Sequence, residues 1–322
     1  MKNFKQNIRK TALALCGCAG MSLLYACGSE KAQGPTDTAT SGIIALSADE
    51  SFAPIVDQEI AVFENKYPQT SLLPIYASEV DAINLLLSDS VYLAITTRPL
   101  TEAENAGLEQ KRLFAKPILL AMDAVALIVN RSNTDSLLSV NQLRKILSGE
   151  ITSWKQINPK SKLDDITFVF DNPNSGMLRY LQDTVMHGAP ISDKLFAQNG
   201  NQEVIDYVQN TPGAMGVVGV SWVMDMADTT LLSFNPDIRV MALTEQAVPD
   251  AYNTFKPYQA YLATGEYPLS RHVYAILSEP RSGLATAFAS FLAGYTGQRV
   301  ILRAGLVPAT QALRIVNVRD TY

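Results

Sequence analysis

The stretch FVFDNPNSGMLRYLQ, residues 168–182, joins two different hydrophobic patterns. It begins with the apolar run of a buried strand, and then Leu178, Leu181 and Val185 recur at helical spacing. Between the two patterns, residues 171–176 are mostly small or polar. The start of a helix exposes unpaired backbone N–H groups and a partial positive charge, and small side chains let an anion reach both. The junction therefore predicts an oxyanion-binding site.

The N-terminal segment indicates export. A basic start is followed at residues 11–27 by an uncharged, largely apolar run that is shorter than the roughly 20 residues of a membrane-spanning helix. The sequence LYAC at residues 24–27 is similar to the lipobox of bacterial lipoproteins. We therefore predict a signal peptide at residues 1–26, a lipid attached to Cys27, and a flexible tether at 27–42. An ordinary secretory leader or an uncleaved anchor is the alternative.

The composition limits the partners of the folded body. The three cysteines, Cys16, Cys18 and Cys27, lie in the leader or at its end, so the exported body has no disulfide and depends on its hydrophobic core. The whole chain carries a formal net charge of −5 and its leader is basic, so the body alone is more acidic. This charge argues against a nucleic-acid partner. It does not exclude a small anion, because local dipoles decide binding inside a closed site.

Strand-like and helix-like segments alternate from Ile43 onward. The runs TSLLPIYA, VYLAIT and HVYAILSE have the length and apolar character of strands, whereas SVNQLRKILSGE has helical spacing. This alternation predicts an α/β fold with largely parallel sheets. Ligands in such folds bind outside the carboxyl ends of the strands.

Three predicted strand ends carry clusters of small polar residues, at residues 47–54, 94–100 and 174–176. Each cluster also has a simpler explanation, because Asp, Asn and Ser cap helices and Pro99 sets a turn. Three donor-rich clusters at strand ends nevertheless favour one shared site for a tetrahedral oxyanion. Hydroxyl groups, backbone amides and the fork of Arg98 are suitable donors for it.

Three longer segments add to these clusters. They are LRKILSGEITSWKQIN (143–158), TPGAMGVVG (211–219) and FLAGYTGQRVILRAGLVP (291–308). With the clusters, they make the chain resemble the phosphate-binding proteins of bacterial ABC transporters, within the periplasmic binding protein superfamily. The resemblance runs in order from about Ile43 to Pro308.

The resemblance implies a two-lobed α/β fold, type II-like, with mixed, largely parallel sheets and a ligand in the cleft. A double-crossover hinge is expected, with crossings near residues 122–129 and 270–276. Lobe 1 is then expected to comprise residues 43–124 and 273–322, and lobe 2 residues 125–272.

The resemblance and the clusters together give a set of expected ligand-binding residues. These are Ser51, Phe52, Ser78, Thr96, Thr97, Arg98, Asn174, Ser175, Gly176 and Met177. The family uses a hydroxyl and a backbone N–H from the first loop, at residues 51–52, and further donors from the loop at Thr96 and Thr97, called the third loop below, and from the helix start at residues 175–177.

Three positions depart from the family pattern. Thr97 stands where well-studied members place an Asp that accepts the phosphate proton, Asp171 where they place an Arg, and Met177 where they place a Thr. Loss of the acceptor weakens the physical basis for rejecting sulfate. We expect Arg98 to supply the missing charge, and Asp171 either to act as the acceptor or to point away.

The resulting expectation is a binding protein rather than an enzyme. The body holds two histidines, His187 and His272, and no motif for a nucleophile, a metal or a cofactor. We expect a monomer that captures inorganic phosphate and delivers it to an ABC transporter permease, exported, lipid-anchored to a bacterial membrane and facing the periplasm. The alternatives are another oxyanion, such as sulfate or molybdate, or a lipid-anchored sensor or interaction protein.

Overall fold

The structure is a computed structural model that describes residues 36–312, except residues 226, 229 and 231. The predicted signal peptide, the predicted lipid site at Cys27 and most of the predicted tether lie outside these residues. Within the described residues, no helix has both the length and the apolar character that a bilayer crossing requires.

Twelve strands are present in the described part of the chain. They are β1 (Ser41–Asp49), β2 (Gln69–Ala77), β3 (Leu93–Thr96), β4 (Lys116–Asn130), β5 (Leu137–Ser139), β6 (Thr167–Phe170), β7 (Phe196–Ala197), β8 (Ala214–Gly219), β9 (Ile238–Val240), β10 (Ala242–Thr244), β11 (Ser270–Leu277) and β12 (Val307–Pro308).

The helices alternate with these strands. They are α1 (Ala53–Lys66), α2 (Glu79–Leu87), α3 (Glu102–Gln110), α4 (Val140–Leu147), α5 (Trp154–Ile157), α6 (Gly176–Tyr180), α7 (Asn201–Asn210), α8 (Gln259–Ala263), α9 (Leu284–Ala293) and α10 (Tyr295–Arg303). Short 3₁₀ turns lie at Glu50–Phe52 and Val220–Trp222, and a π turn at Leu181–Val185 continues α6. Helices α3, α4 and α5 begin with capping boxes, in which a Ser or Thr and the residue three positions later satisfy each other's backbone amides.

Strand β4 connects the two halves of one mixed sheet. The strand order is β2-β1-β3-β11-β4-β8-β6-β7, with β9 and β12 also on β4, while β5 and β10 pair separately. Residues 116–124 of β4 pair antiparallel with β11, and residues 125–129 pair antiparallel with β8. We use lobe 1 for the part of the chain built on β1, β2, β3, β11 and the first half of β4. Lobe 2 is the part built on β6, β7, β8, β9 and the second half.

Parallel pairing in this sheet is confined to the outer strands. Strand β1 pairs parallel with β2 and β3, and β6 pairs parallel with β7 and β8. The central pairings of β4 with β11 and β8 are antiparallel, because the chain crosses through β4 and returns through β11. Residues 123–130 of β4 are all buried, as expected for a strand covered on both faces. The α/β fold and its mixed sheet agree with the sequence-based prediction.

Buried polar contacts join the two crossing strands. Arg271 on β11 lies opposite Asp123 on β4, and its Nε donates to Asp123 Oδ2 at 2.9 Å. The hydroxyl of Tyr267 donates to the carbonyl of Val125 at 2.8 Å. The other end of the Arg271 guanidinium reaches the loop after β1, where Nη2 donates to Ser51 Oγ at 2.8 Å. Strand β11 is therefore hydrogen-bonded directly to the loop after β1, which is one of the predicted ligand-binding loops.

Glu59 on α1 is an acid in the core of lobe 1. The residue is 1 % exposed, and neither carboxyl oxygen has a hydrogen-bond partner among the described residues. It lines a small apolar cavity of about 20 Å³ together with Val56, Leu120 and Ile301. Burial raises the pKa of Glu59 to about 9, so the carboxyl is protonated at neutral pH.

Glu59→Met is expected to raise the free energy of unfolding at pH 8, because it removes buried polar atoms that lack partners and a carboxyl whose burial costs the native protein about 1.4 kcal/mol per pH unit, or up to about 4 kcal/mol from pH 5 to pH 8. The gain is smaller at pH 5. With a folded-state pKa near 9 and an unfolded value near 4.5, the native protein loses stability as the pH rises between them. Urea unfolding at both pH values measures the difference. Glu109→Met, at an exposed position of α3, is the control, and equal effects of the two substitutions would contradict the prediction.

Candidate functional site

The junction between β6 and α6 places a backbone amide in the cleft between the lobes. Ser175 caps α6, since its Oγ accepts a hydrogen bond from the Leu178 N–H at 3.1 Å. The Gly176 N–H donates across the cleft to Asp49 Oδ2 in lobe 1, at 3.1 Å. A Cβ on Gly176 would lie 2.6 Å from that oxygen and 3.1 Å from the Glu79 carboxylate. The close approach of the two lobes here therefore requires glycine.

The Asp49 carboxylate accepts hydrogen bonds from both lobes. It ends β1, and its Oδ1 accepts from the Ser51 N–H at 2.9 Å and from the Ser51 hydroxyl at 2.6 Å. With the Gly176 N–H on Oδ2, one carboxylate receives three hydrogen bonds. Asp49 is 1 % exposed, so these bonds are shielded from water and strengthened. The donors that the sequence assigns to an oxyanion thus bind a carboxylate of the chain itself.

A second carboxylate, Glu79, joins the third loop to lobe 2. Its Oε1 accepts from the Thr97 N–H at 2.8 Å and from the Thr97 hydroxyl. Its Oε2 accepts from Arg179 Nε at 2.7 Å, and Arg179 Nη2 donates to Thr97 Oγ1 at 2.6 Å. Burial raises the pKa of Glu79, but the hydrogen bonds and charge of Arg179 outweigh burial and lower the pKa below its usual value. Glu79 is therefore ionised and pairs with Arg179 across the cleft.

Asp171 is a third buried carboxylate at the site. It is 1 % exposed, and its Oδ1 accepts from the Ser175 hydroxyl at 2.6 Å. Burial and the negative charge of Asp49 raise the pKa of Asp171 to about 7, against the opposing hydrogen bond from Ser175. Of the two orientations that the sequence leaves open, the structure has Asp171 facing the helix-start loop.

Two further contacts bridge the lobes beside this site. Glu50 accepts from the Asn201 N–H at 3.1 Å, at the first residue of α7, and from the Asn201 side chain. Burial raises the pKa of Glu50 despite these bonds. Trp222 Nε1 donates to the carbonyl of Ser51 at 3.0 Å. Asp49 and Glu50, which are adjacent in lobe 1, thus accept hydrogen bonds from the first N–H groups of α6 and α7 in lobe 2.

The structure brings four of the predicted ligand residues together through their hydrogen bonds. Ser51 and Gly176 both donate hydrogen bonds to Asp49. Thr97 donates to Glu79, and Ser175 donates to Asp171. Their polar groups come from both lobes and are bonded to buried carboxylates at the carboxyl ends of the strands, where the strand-end argument expects a ligand.

The remaining predicted residues have other contacts. Arg98 forms a bidentate pair with Glu104 at 2.8 and 2.9 Å, so its guanidinium does not supply the charge expected at the site. Ser78 caps α2 and hydrogen-bonds Asp81, and the Thr96 hydroxyl donates to the Arg98 carbonyl at 2.8 Å. The other three are Phe52 and Met177, whose side chains are buried in the core, and Asn174, which is exposed.

The sequence-based ligand set omits Asp49, Glu79, Arg179 and Arg271. A weak signal for Arg271 was present, because the residue directly precedes the strand run HVYAIL, where burial of a charge requires a partner. The contact between Glu79 and Arg179 spans 100 residues, and no local pattern indicates it.

A family model described as a PBP superfamily domain matches residues 33–295. The chain therefore belongs to the PBP superfamily, the periplasmic binding proteins, which are binding proteins rather than enzymes and act outside the cytoplasm. A phosphate-binding protein PstS from Borreliella burgdorferi is 23 % identical over 307 residues, covering 92 % of this chain and 98 % of its own. A phosphate-binding protein PstS from Bacillus subtilis is 24 % identical over 309 residues, covering 94 % of each chain.

Solved structures with the same fold are also named for phosphate. A putative phosphate ABC transporter substrate-binding protein with bound phosphate from Clostridium perfringens has a TM-score of 0.70 at 19 % identity, covering 84 % of this chain and 100 % of its own. An ABC-type phosphate transport receptor from Vibrio cholerae has a TM-score of 0.60 at 21 % identity, covering 83 % and 100 %. The predicted two-lobed fold is confirmed.

Asp171→Asn is expected to stabilise the protein by about 2–4 kcal/mol at pH 8 and by little at pH 4, since each pKa unit corresponds to about 1.4 kcal/mol. The folded pKa near 7 lies above the ordinary value of 3.8, so the native protein loses stability as the pH rises between the two. Asparagine keeps the acceptor for Ser175 without the charge. Urea unfolding from pH 4 to 8 measures this, with the exposed Asp193→Asn as control. A stability difference that does not grow with pH would contradict the assignment.

Proposed function

We propose that this chain is an extracytoplasmic solute-binding protein that captures inorganic phosphate in the cleft and delivers it to the permease of an ABC transporter. One observation carries the proposal: a single buried oxyanion, the Asp49 carboxylate, receives the Ser51 N–H and hydroxyl from lobe 1 and the Gly176 N–H from lobe 2. Fixed amides of this kind bind an anionic oxygen group strongly. The names of the relatives and of the solved structures support phosphate as that anion.

Binding is then an exchange of acceptors. Phosphate takes the donors of Ser51, Gly176 and Thr97, and the carboxylates that held them move aside within the cleft. Because the donors come from both lobes, the bound anion favours the conformation in which the lobes touch. The permease recognises that conformation and reopens it.

The displaced carboxylates also explain selectivity. Asp49, Asp171 and Glu79 remain near the anion, and one of them accepts the hydrogen bond from the single protonated oxygen of HPO₄²⁻. Sulfate has no proton at neutral pH and meets only repulsion from these groups. These acids therefore replace the acceptor that Thr97 lacks.

The proposal extends to organisation and location. Lobe 1 comprises residues 43–124 and 273–322, of which 313–322 lie outside the described residues, and lobe 2 residues 125–272. The crossings are then in β4 and in the first three residues of β11, which the sheet pairs with the lobe 1 half of β4. Residues 1–26 are a lipoprotein signal peptide, and Cys27 carries the lipid that anchors a monomer to a bacterial membrane. The pairing of β4 with β11 and then β8 supports the lobe boundaries.

Gly176→Ala tests the site directly. The added Cβ meets Asp49 Oδ2 at 2.6 Å and obstructs the amide, so the phosphate affinity is expected to fall at least about tenfold, or about 1.4 kcal/mol. Isothermal titration with inorganic phosphate measures it. Gly107→Ala is a matched control, because a Cβ there has no atom within 4 Å. Absence of phosphate binding by the unmodified protein would refute the proposed ligand, and equal affinity of the two variants would refute the site.

Asp49→Asn tests the selectivity. Removing one negative charge lowers the repulsion of sulfate, whereas for phosphate it also replaces a charged acceptor of the phosphate O–H by the weaker, neutral carbonyl of asparagine. The ratio of phosphate to sulfate affinity is therefore expected to fall about tenfold or more, corresponding to about 1.4 kcal/mol. Titration with both anions at pH 7.5 measures the ratio, and Asp206→Asn, on the exposed face of α7, is the control. An unchanged ratio would show that Asp49 does not distinguish the two anions.

A further inference from the structure

Arg271 is a buried cation between the lobes that has no role in the exchange of acceptors proposed above. Arg271 lies on β11 at the crossing between the lobes, and its side chain is 2 % exposed. One edge of the guanidinium is paired, since Nε donates to Asp123 Oδ2 at 2.9 Å. The other edge faces the loop after β1, where Nη2 donates to Ser51 Oγ and the guanidinium carbon lies 4.9 Å from the Phe52 ring centre.

The guanidinium keeps unused hydrogen-bonding capacity. Nη1 is buried and has no hydrogen-bond partner among the residues that the structure describes. A guanidinium has five N–H donors, and a buried donor left unpaired costs about 1–3 kcal/mol. A spare donor pair on a buried cation is therefore a feature that a bound anion would satisfy.

The hydrogen bonds of Ser51 connect this cation to the anion position. The Ser51 hydroxyl accepts from Arg271 Nη2 and donates to Asp49 Oδ1. Asp49 in turn accepts the Gly176 N–H. A tetrahedral oxyanion that replaces the Asp49 carboxylate is thus connected to the guanidinium through the hydroxyl of Ser51.

The other two arginines near the cleft are already paired. Arg179 is 34 % exposed and bonds to Glu79 and Asp183, and Arg98 holds both oxygens of Glu104. Both η nitrogens of each of these arginines are hydrogen-bonded within the chain, so neither has the spare buried donor that Arg271 has.

We propose that Arg271 is a ligand of the bound oxyanion, to which its Nη1 donates while Ser51 and Gly176 bind the oxygens now held by Asp49. This inference rests on the proposed phosphate function. It assigns the positive charge of the site to the crossing strand β11, and not to the third loop or to the helix start.

Two substitutions separate this role from a purely structural one. Arg271→Lys keeps the charge next to Asp123 but loses Nη1, and the phosphate affinity is expected to fall about 30-fold. Asp123→Asn breaks the same ion pair from its other end and leaves the whole guanidinium in place, so the affinity is expected to stay equal or rise. A structural ion pair predicts the same loss of affinity from both substitutions.

The double variant Asp123→Asn with Arg271→Gln guards against misfolding, because it leaves no unpaired buried charge. We expect it to fold, by circular dichroism and thermal melting, and to lose phosphate binding in calorimetry. Arg281→Lys is the matched control, since Arg281 also forms ion pairs, with Asp37 and Glu279, but within the described part of the chain makes no contact with the proposed site residues.

The outcomes distinguish the two proposals. Phosphate binding by the native protein that stays within about threefold in Arg271→Lys and in the double variant would overturn the role of Arg271 and leave the phosphate function standing. Equal losses in Arg271→Lys and Asp123→Asn would overturn it as well. A native protein that binds no phosphate would overturn both.

Discussion

Contact between the lobes buries backbone N–H groups at the starts of two helices, and each of these groups needs an acceptor. Gly176 at the start of α6 donates to Asp49, and Asn201 at the start of α7 donates to Glu50. An amide left unpaired in such a place costs about 1–3 kcal/mol. The end of β1 therefore determines how the lobes fit, and Gly219, where a Cβ would lie 3.2 Å from the Ser51 carbonyl, allows the same close approach.

The acceptors are themselves anions, which sets the electrostatic character of the cleft. Asp49, Glu79 and Asp171 are each about 1 % exposed, and burial makes every charge interaction among them stronger. Asp171 responds by binding a proton more readily, with a pKa near 7. Glu79 instead obtains a cation from lobe 2, Arg179. A phosphate ion that enters this cleft exchanges one set of negative oxygens for another, so its affinity depends on the difference between two anions and not on bare attraction.

The sequence predicted the fold better than the site. Alternating apolar runs and caps such as Ser175 depend on neighbouring residues, and they indicated the strands, the helices and the donor-rich junctions between them. Which acceptor meets which amide depends on the folding together of distant segments, so the bond between Gly176 and Asp49, 127 residues apart, was not foreseen. Arg98 was a reasonable candidate for the site charge, but Glu104 on the next helix binds it at both edges.

The position of Arg271 on the crossing strand separates an early contact with the anion from a later one. Residues at the crossing belong to both lobes and move least when the lobes rotate about it. Arg271 and Ser51 are therefore in place for an anion before closure, whereas the Gly176 N–H of lobe 2 joins only when the lobes meet. The first contact supplies charge, and the second supplies an interaction that exists only in the closed form. The Gly176 N–H favours closure on the anion to the extent that it binds the anion more strongly than Asp49, because a contact equally available in both forms shifts no population.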